Sequence, residues 1–165
     1  MTPEFLIEKF QLEPLPIEGG LFWRYYSADE NIPHAALPPR YTHAKLFSSA
    51  ICYMHTPQTR SLMHRLKSDE LYHFYLGDPV TLVLLYPDGL QRVVTLGSDY
   101  AAGQLPFFVV PRDVWQGSRL IENGKWAFMG TTVAPAYDDD DFELGDRAAL
   151  LASFPDARAW IERLT

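Results

Sequence analysis

The 165-residue sequence predicts a mostly β domain, a sandwich or barrel, with a short helix at each end. Short apolar and aromatic runs recur from Lys45 to Val133, separated by turn signals. Pro87-Asp88-Gly89 joins two of them as a turn with a mechanism, since Pro fixes φ and Gly accepts positive φ. Aromatic residues make up 14% of the chain, which suits a sheet whose faces are filled by Phe, Tyr and Trp.

The elements follow in order. Thr2 ahead of Pro3 is a helix start, a hydroxyl cap followed by a residue whose missing N–H costs nothing there. Leu6, Ile7 and Phe10 form its apolar stripe, and Pro14 and Pro16 are expected to end it. Glu18-Gly19-Gly20 opens a strand over Leu21 to Tyr26, and Pro33, Pro38 and Pro39 mark a loop. Further strands are expected at 48–54, 71–76, 80–86, 90–96, 107–110 and 125–133. Ala157, Trp160, Ile161 and Leu164 fall at i, i+3, i+4 and i+7, an amphipathic helix. Pro155 is placed to begin it, and Leu150, Leu151 and Phe154 suggest a helical turn before it.

Composition limits function. The length fits one domain, residues 1–165, with its β portion at about 15–136 and a helical tail at about 146–165. Net charge is −7 with no dense basic cluster, which argues against nucleic acid or anionic membrane as partner. Cys52, the single cysteine, reads as a small hydrophobe in a buried strand. The start lacks the basic and apolar regions of a signal peptide, and no apolar run reaches membrane-spanning length, so cytoplasm is the expected compartment.

Chemistry concentrates between Ser61 and Gly77. Residues two apart on a strand share a face, so a His-x-His pair would chelate with a Glu from the next strand. Here His64 and Glu70 stand in the first and third places, but Leu66 occupies the second and cannot ligate. At the far end the fourth place holds Gln116. That leaves His64 and Glu70 as a reduced metal set for Fe, Ni, Mn or Zn, with no cofactor established. His73 lies three residues from Glu70 and faces the cavity only if a bulge turns it inward. Asp138-Asp139-Asp140-Asp141 lacks the spaced ligands of a calcium loop and reads as a solvated acidic loop.

A longer set of motifs carries a resemblance. Glu18-Gly19-Gly20 with Arg24, then Ser49 and Tyr53, are followed by His64-Arg65-Leu66-x-Ser68-Asp69-Glu70-x-x-His73-x-x-x-Gly77. Leu96-Gly97-x-Asp99, Gly103, Val110-Pro111-x-x-x-Trp115, Val133-Ala134-Pro135 and Asp141-Phe142-Glu143-Leu144 complete it. In order, these residues resemble the small single-domain cupins of unknown function within the RmlC-like superfamily. The resemblance implies a jelly-roll β-barrel with an open mouth, a homodimer, and a polar cavity for a small molecule. Pro16-Ile17 departs from the His-Pro that members often carry, and Ala136 from a common Gly.

The expected function is small-molecule binding, with metal-independent isomerase or epimerase chemistry on a polar metabolite. His64, Glu70 and Tyr53 are the candidate catalytic residues. Arg24, Gln116, Tyr72, His73 and Trp115 are candidate substrate contacts. One alternative is a metal-dependent oxygenase or isomerase using His64 and Glu70. Another is a non-catalytic ligand-binding or interaction protein.

Overall fold

The computed structural model describes residues 1–165. Helix α1 (Pro3–Phe10) begins where Thr2 Oγ1 accepts the Phe5 N–H. It ends before the prolines, because Gln11 turns left-handed (φ 53°) and the Gln11 and Leu12 N–H groups cap the last carbonyls. The strands then run β1 (Glu13–Pro14), β2 (Leu21–Ser27), β3 (Asn31–Ile32), β4 (Lys45–Leu46) and β5 (Ser49–His55). They continue as β6 (Ser61–Leu66), β7 (Asp69–Gly77), β8 (Val80–Leu85), β9 (Gln91–Leu96) and β10 (Phe107–Val110). The last are β11 (Trp115–Leu120), β12 (Ala127–Ala134) and β13 (Phe142–Leu144), followed by helices α2 (Arg147–Ser153) and α3 (Arg158–Leu164).

Two antiparallel sheets hold most of these strands. One has the order β1-β2-β5-β12-β7-β10, the other β13-β6-β11-β8-β9, and β3-β4 forms a small separate ribbon. The sheets face one another as a jelly roll and are not joined into one continuous hydrogen-bonded barrel. Tyr72, Val80, Leu82, Leu84, Leu96, Val110 and Met129 fill the space between them at one end. The candidate cavity opens at the other.

The helices cover the outside. Leu6 of α1 packs with Met54 and Phe128 on the first sheet, and Leu150, Ile161 and Leu164 pack with Met63, Val83 and Leu85 on the second. Asp146 caps α2 by accepting the Ala149 N–H at 2.8 Å. Pro155 starts a 3₁₀ turn that leads into α3. Strand β11 has no sequence signal because Gly117 interrupts its apolar pattern. A Cβ at Gly117 would lie 2.7 Å from Met63 Sδ, so the glycine lets the C-terminal helices approach the sheet closely. Cys52 is only half-buried, on the outer face of β5 beside α1, because the inward positions of that strand belong to its neighbours Ile51 and Tyr53.

The acidic run is not uniformly solvated. Asp141 is buried and accepts from Lys45 Nζ at 2.8 Å, both side chains being only 2% exposed. His43 meets Asp138 at 3.0 Å and Asp140 at 3.6 Å. The run therefore ties the β13 approach to β4.

Candidate functional site

A cavity of about 470 Å³ opens between the sheets, within the range of small-molecule pockets. Its floor holds Glu18, His64 and Glu70; its walls are apolar, with Phe22, Ile51, Leu66, Val133 and Phe142; Arg24, Tyr137 and Asp139 also line it.

A register shift builds the floor. Strand β11 pairs Gln116 with His64 and Ser118 with Ser61, so β6 takes three steps while β11 takes two. The extra residue breaks the two-residue alternation. It lets Ser61 and His64 serve the interior together, while Met63 between them packs outward under the C-terminal helices. Ser61 Oγ donates to Glu18 Oε1 at 2.7 Å, and the Leu62 N–H donates to the Glu18 carbonyl at 2.8 Å.

Two glycines then make room behind Glu18. Gly19 (φ 96°) and Gly20 (φ 83°) adopt left-handed backbone, and a Cβ on Gly20 would sit 2.1 Å from the Tyr53 hydroxyl. That hydroxyl donates to the Gly19 carbonyl at 2.8 Å. Tyr53 is thus committed to holding the Glu18 loop, and burial pushes its hydroxyl well above the ordinary value. It does not line the cavity as an acid.

His64 is 2% exposed, and its Nδ1–H donates to the Leu62 carbonyl at 2.7 Å. The carbonyl can only accept, so the tautomer is set and Nε2 faces Glu70 Oε2 at 3.9 Å. The ring stacks on Phe142 with centroids 5.3 Å apart. Burial alone would lower the imidazole, but the charges of Glu18 and Glu70 and the Leu62 carbonyl outweigh it. The result is a rise to about 9, so His64 carries a proton at neutral pH. Glu18 is raised, first by burial and then by the like charge of Glu70, against lowering by His64 and Ser61. Gln116 Nε2 donates to Glu70 Oε2 at 2.7 Å and leaves Oε1 unpartnered and buried.

The other sequence candidates fall elsewhere. Regular alternation turns His73 to the outer face of β7, where it stacks on Tyr75 and lies 3.4 Å from Thr132 Oγ1. Tyr72 points inward but is packed in the core beyond the floor. Trp115 faces out, against the C-terminal helices and under the Arg65 guanidinium at 4.5 Å. Arg24 lines the cavity, and Gln116 reaches it through Glu70. Glu18, the residue sequence reasoning missed as a site group, had a signal in the two glycines that follow it.

Cupins often bind metal, but the donors of this cavity do not make a ligand shell. Leu66 puts an isobutyl group where a second imidazole would stand. Glu70 Oε2 is taken by the Gln116 amide and Glu18 Oε1 by the Ser61 hydroxyl, so Glu18, His64 and Glu70, although neighbours, are not disposed to hold a metal ion. The residues present do not fit a metal centre.

Two facing antiparallel sheets with a ligand-sized cavity between them, its floor carried on β6 and β7, define a protein of the cupin class. Residues 4–145 match the family described as Cupin superfamily (DUF985), and the chain belongs to that family. The chain is similar to protein SO0799 from Shewanella oneidensis, at 30% identity over 100% of this chain and 98% of that one, with a TM-score of 0.86. A hypothetical protein from Leishmania major aligns at 26% identity and TM-score 0.89, covering 100% and 99% of the two chains. The uncharacterized protein YML079W of Saccharomyces cerevisiae is 28% identical over 97 residues, which span 57% of this chain and 48% of the yeast protein. Oxalate decarboxylase from Bacillus subtilis shares the fold alone, at 12% identity and TM-score 0.54, over 94% of this chain and 38% of that one. No helix is long and apolar enough to cross a membrane.

Proposed function

We propose that the protein binds a small polar metabolite in this cavity and acts on it by metal-independent proton transfer, as an isomerase or epimerase. The observation that supports this most is the buried His64 imidazole held between Glu18 and Glu70 at the floor of the cavity. A raised carboxyl and a protonated imidazole, side by side, are the two partners that carbon-acid chemistry needs.

In this scheme His64 is the acid and Glu18, which was not among the candidate catalytic residues of the sequence, is the base. Glu18 takes the proton from the carbon next to a carbonyl, and the electrons of that C–H bond move to the carbonyl oxygen. The His64 Nε2–H protonates that oxygen. Isomerisation is completed when Glu18 delivers its proton to the former carbonyl carbon while the hydroxyl on the neighbouring carbon gives its proton to Nε2. Epimerisation is completed when a solvent proton reaches the opposite face of the first carbon, the oxygen proton returns to Nε2 and Glu18 gives up its proton to solvent. Gln116 keeps Glu70 oriented beside His64.

Deuterium wash-in tests the scheme. In D₂O, a panel of small hydroxy and oxo compounds should include one that exchanges its α-proton in the presence of the protein, followed by proton NMR. His64→Gln and Glu18→Gln should each slow that exchange by about 100-fold or more. A compound that binds in the cavity yet never exchanges, across the whole panel, would overturn the catalytic assignment.

A further inference from the structure

We infer that the ligand is a small organic anion with an apolar body, its acidic group gripped by Arg24 and its polar tip lowered onto the Glu18–His64–Glu70 floor. This deepens the proposed function by naming the substrate class, and rests on that reading for the identity of the cavity.

Arg24 is the only cationic side chain lining the cavity besides His64, and no carboxylate lies within ion-pairing distance of it. It reaches the site because the inward positions of β2 are Phe22 and Arg24, paired against Tyr53 and Ile51 of β5. Its guanidinium lies 5.7 Å from the Tyr137 ring centre, which sets the plane of the fork without consuming its N–H donors. A planar fork with free donors suits a carboxylate, which it can hold by two parallel charge-assisted bonds.

Charge also fixes which end of the ligand goes where. The floor sets two carboxyl groups against the single His64 imidazole, whereas Arg24 has no carboxylate partner, so a ligand's anionic end is drawn to Arg24 rather than to the floor. Asp139 shares the cavity lining with Arg24 and opposes a purely anionic ligand surface, but it lies close to the Tyr137 hydroxyl, which burial first and then the Asp139 charge push upward. Apart from Ser49 and Thr131, the rest of the wall is hydrocarbon and aromatic, with Phe22, Ile51, Leu66 and Val133. Leu66 matters here, because the position where a cupin metal site would carry an imidazole presents instead a surface for the ligand's apolar middle. A sugar with hydroxyls on every carbon would leave its central hydroxyls unpaired against that belt.

Matched probes test the inference by calorimetry: phenylpyruvate, 4-methyl-2-oxopentanoate and mandelate, each against its uncharged amide. At least one acid should bind at millimolar or lower concentration, and more tightly than its amide. Arg24→Gln should weaken the acid by about tenfold or more and leave the amide unchanged. Acids that bind no better than amides, an Arg24→Gln variant with full acid affinity, or no binding by any probe would each overturn it. The two proposals fail separately. Arg24-dependent binding without deuterium exchange removes the catalysis and keeps the ligand class, whereas exchange of an uncharged compound, unchanged in Arg24→Gln, does the reverse.

Discussion

His64 and His55 are both buried between the same two sheets, and their neighbours send them in opposite directions. His55 bonds only to Ser118 Oγ at 2.9 Å through Nε2, its Nδ1 has no partner, and burial pushes it down to about 3. His64 is raised to about 9 by its carboxylates despite burial. The linkage signs differ accordingly. The contribution of His64 is complete below the unfolded value of about 6.5 and is lost as pH rises through about 9. The contribution of His55 is complete above about 6.5 and is lost as pH falls toward 3. Urea midpoints measured across pH should therefore fall on both sides. His64→Gln should flatten the alkaline side, whose full depth is roughly 3 kcal/mol, and leave the acid side in place. An alkaline limb unchanged by that substitution would show that His64 is not the protonated group.

At the scale of elements, the segment from Asp138 to Leu144 is held to the body of the molecule by Lys45 of β4. Removing one partner of a buried pair leaves the other charge desolvated. Lys45→Met should cost about 3–5 kcal/mol in chemical denaturation, and Lys45→Met combined with Asp141→Leu should recover most of it. Loss of the same size in both variants would mean that packing, not the stranded charge, sets the cost. The same scale shows what the sequence made legible. Turn chemistry and short β-runs were enough for β2, β5 and β7 to β10, and helical spacing was enough for α3. Alternation also decides between Tyr72 and His73, and between Trp115 and Gln116, since neighbours on a strand cannot share a face. The direction of Glu18 was not legible, because it lies in a loop where no period applies and a tyrosine hydroxyl beneath Gly19 decides the path. Strand β11 was hidden by the glycine that α3 requires.

For the whole molecule, the uneven cover of the two sheets is the feature to explain. The second sheet is roofed by α2 and α3, whereas α1 roofs only part of the first. Trp23, Tyr25, Tyr75, Phe107 and Val109 remain exposed on the same sheet, the last two on its edge strand β10. We propose that the homodimer expected from the family resemblance forms through this face. Stable dimers of this kind bury roughly 1,200–2,000 Å². Sedimentation should give a dimer that Phe107→Glu with Val109→Glu converts to monomer, with the calorimetric response of the cavity intact. A monomeric parent protein, or a dimer indifferent to both substitutions, would remove this face from consideration.

The extra residue in β6 has a consequence for how such a site can change over generations. Exchanging one side chain for another between Ser61 and His64 alters what the floor is made of but not which way it points. Losing a single residue there would remove the bulge, and Ser61 and His64, then two apart, would share the inner face by plain alternation. What the spare residue sets is the spacing of the floor: it fixes how far His64 stands from Ser61, and so from the Glu18 carboxyl that Ser61 holds.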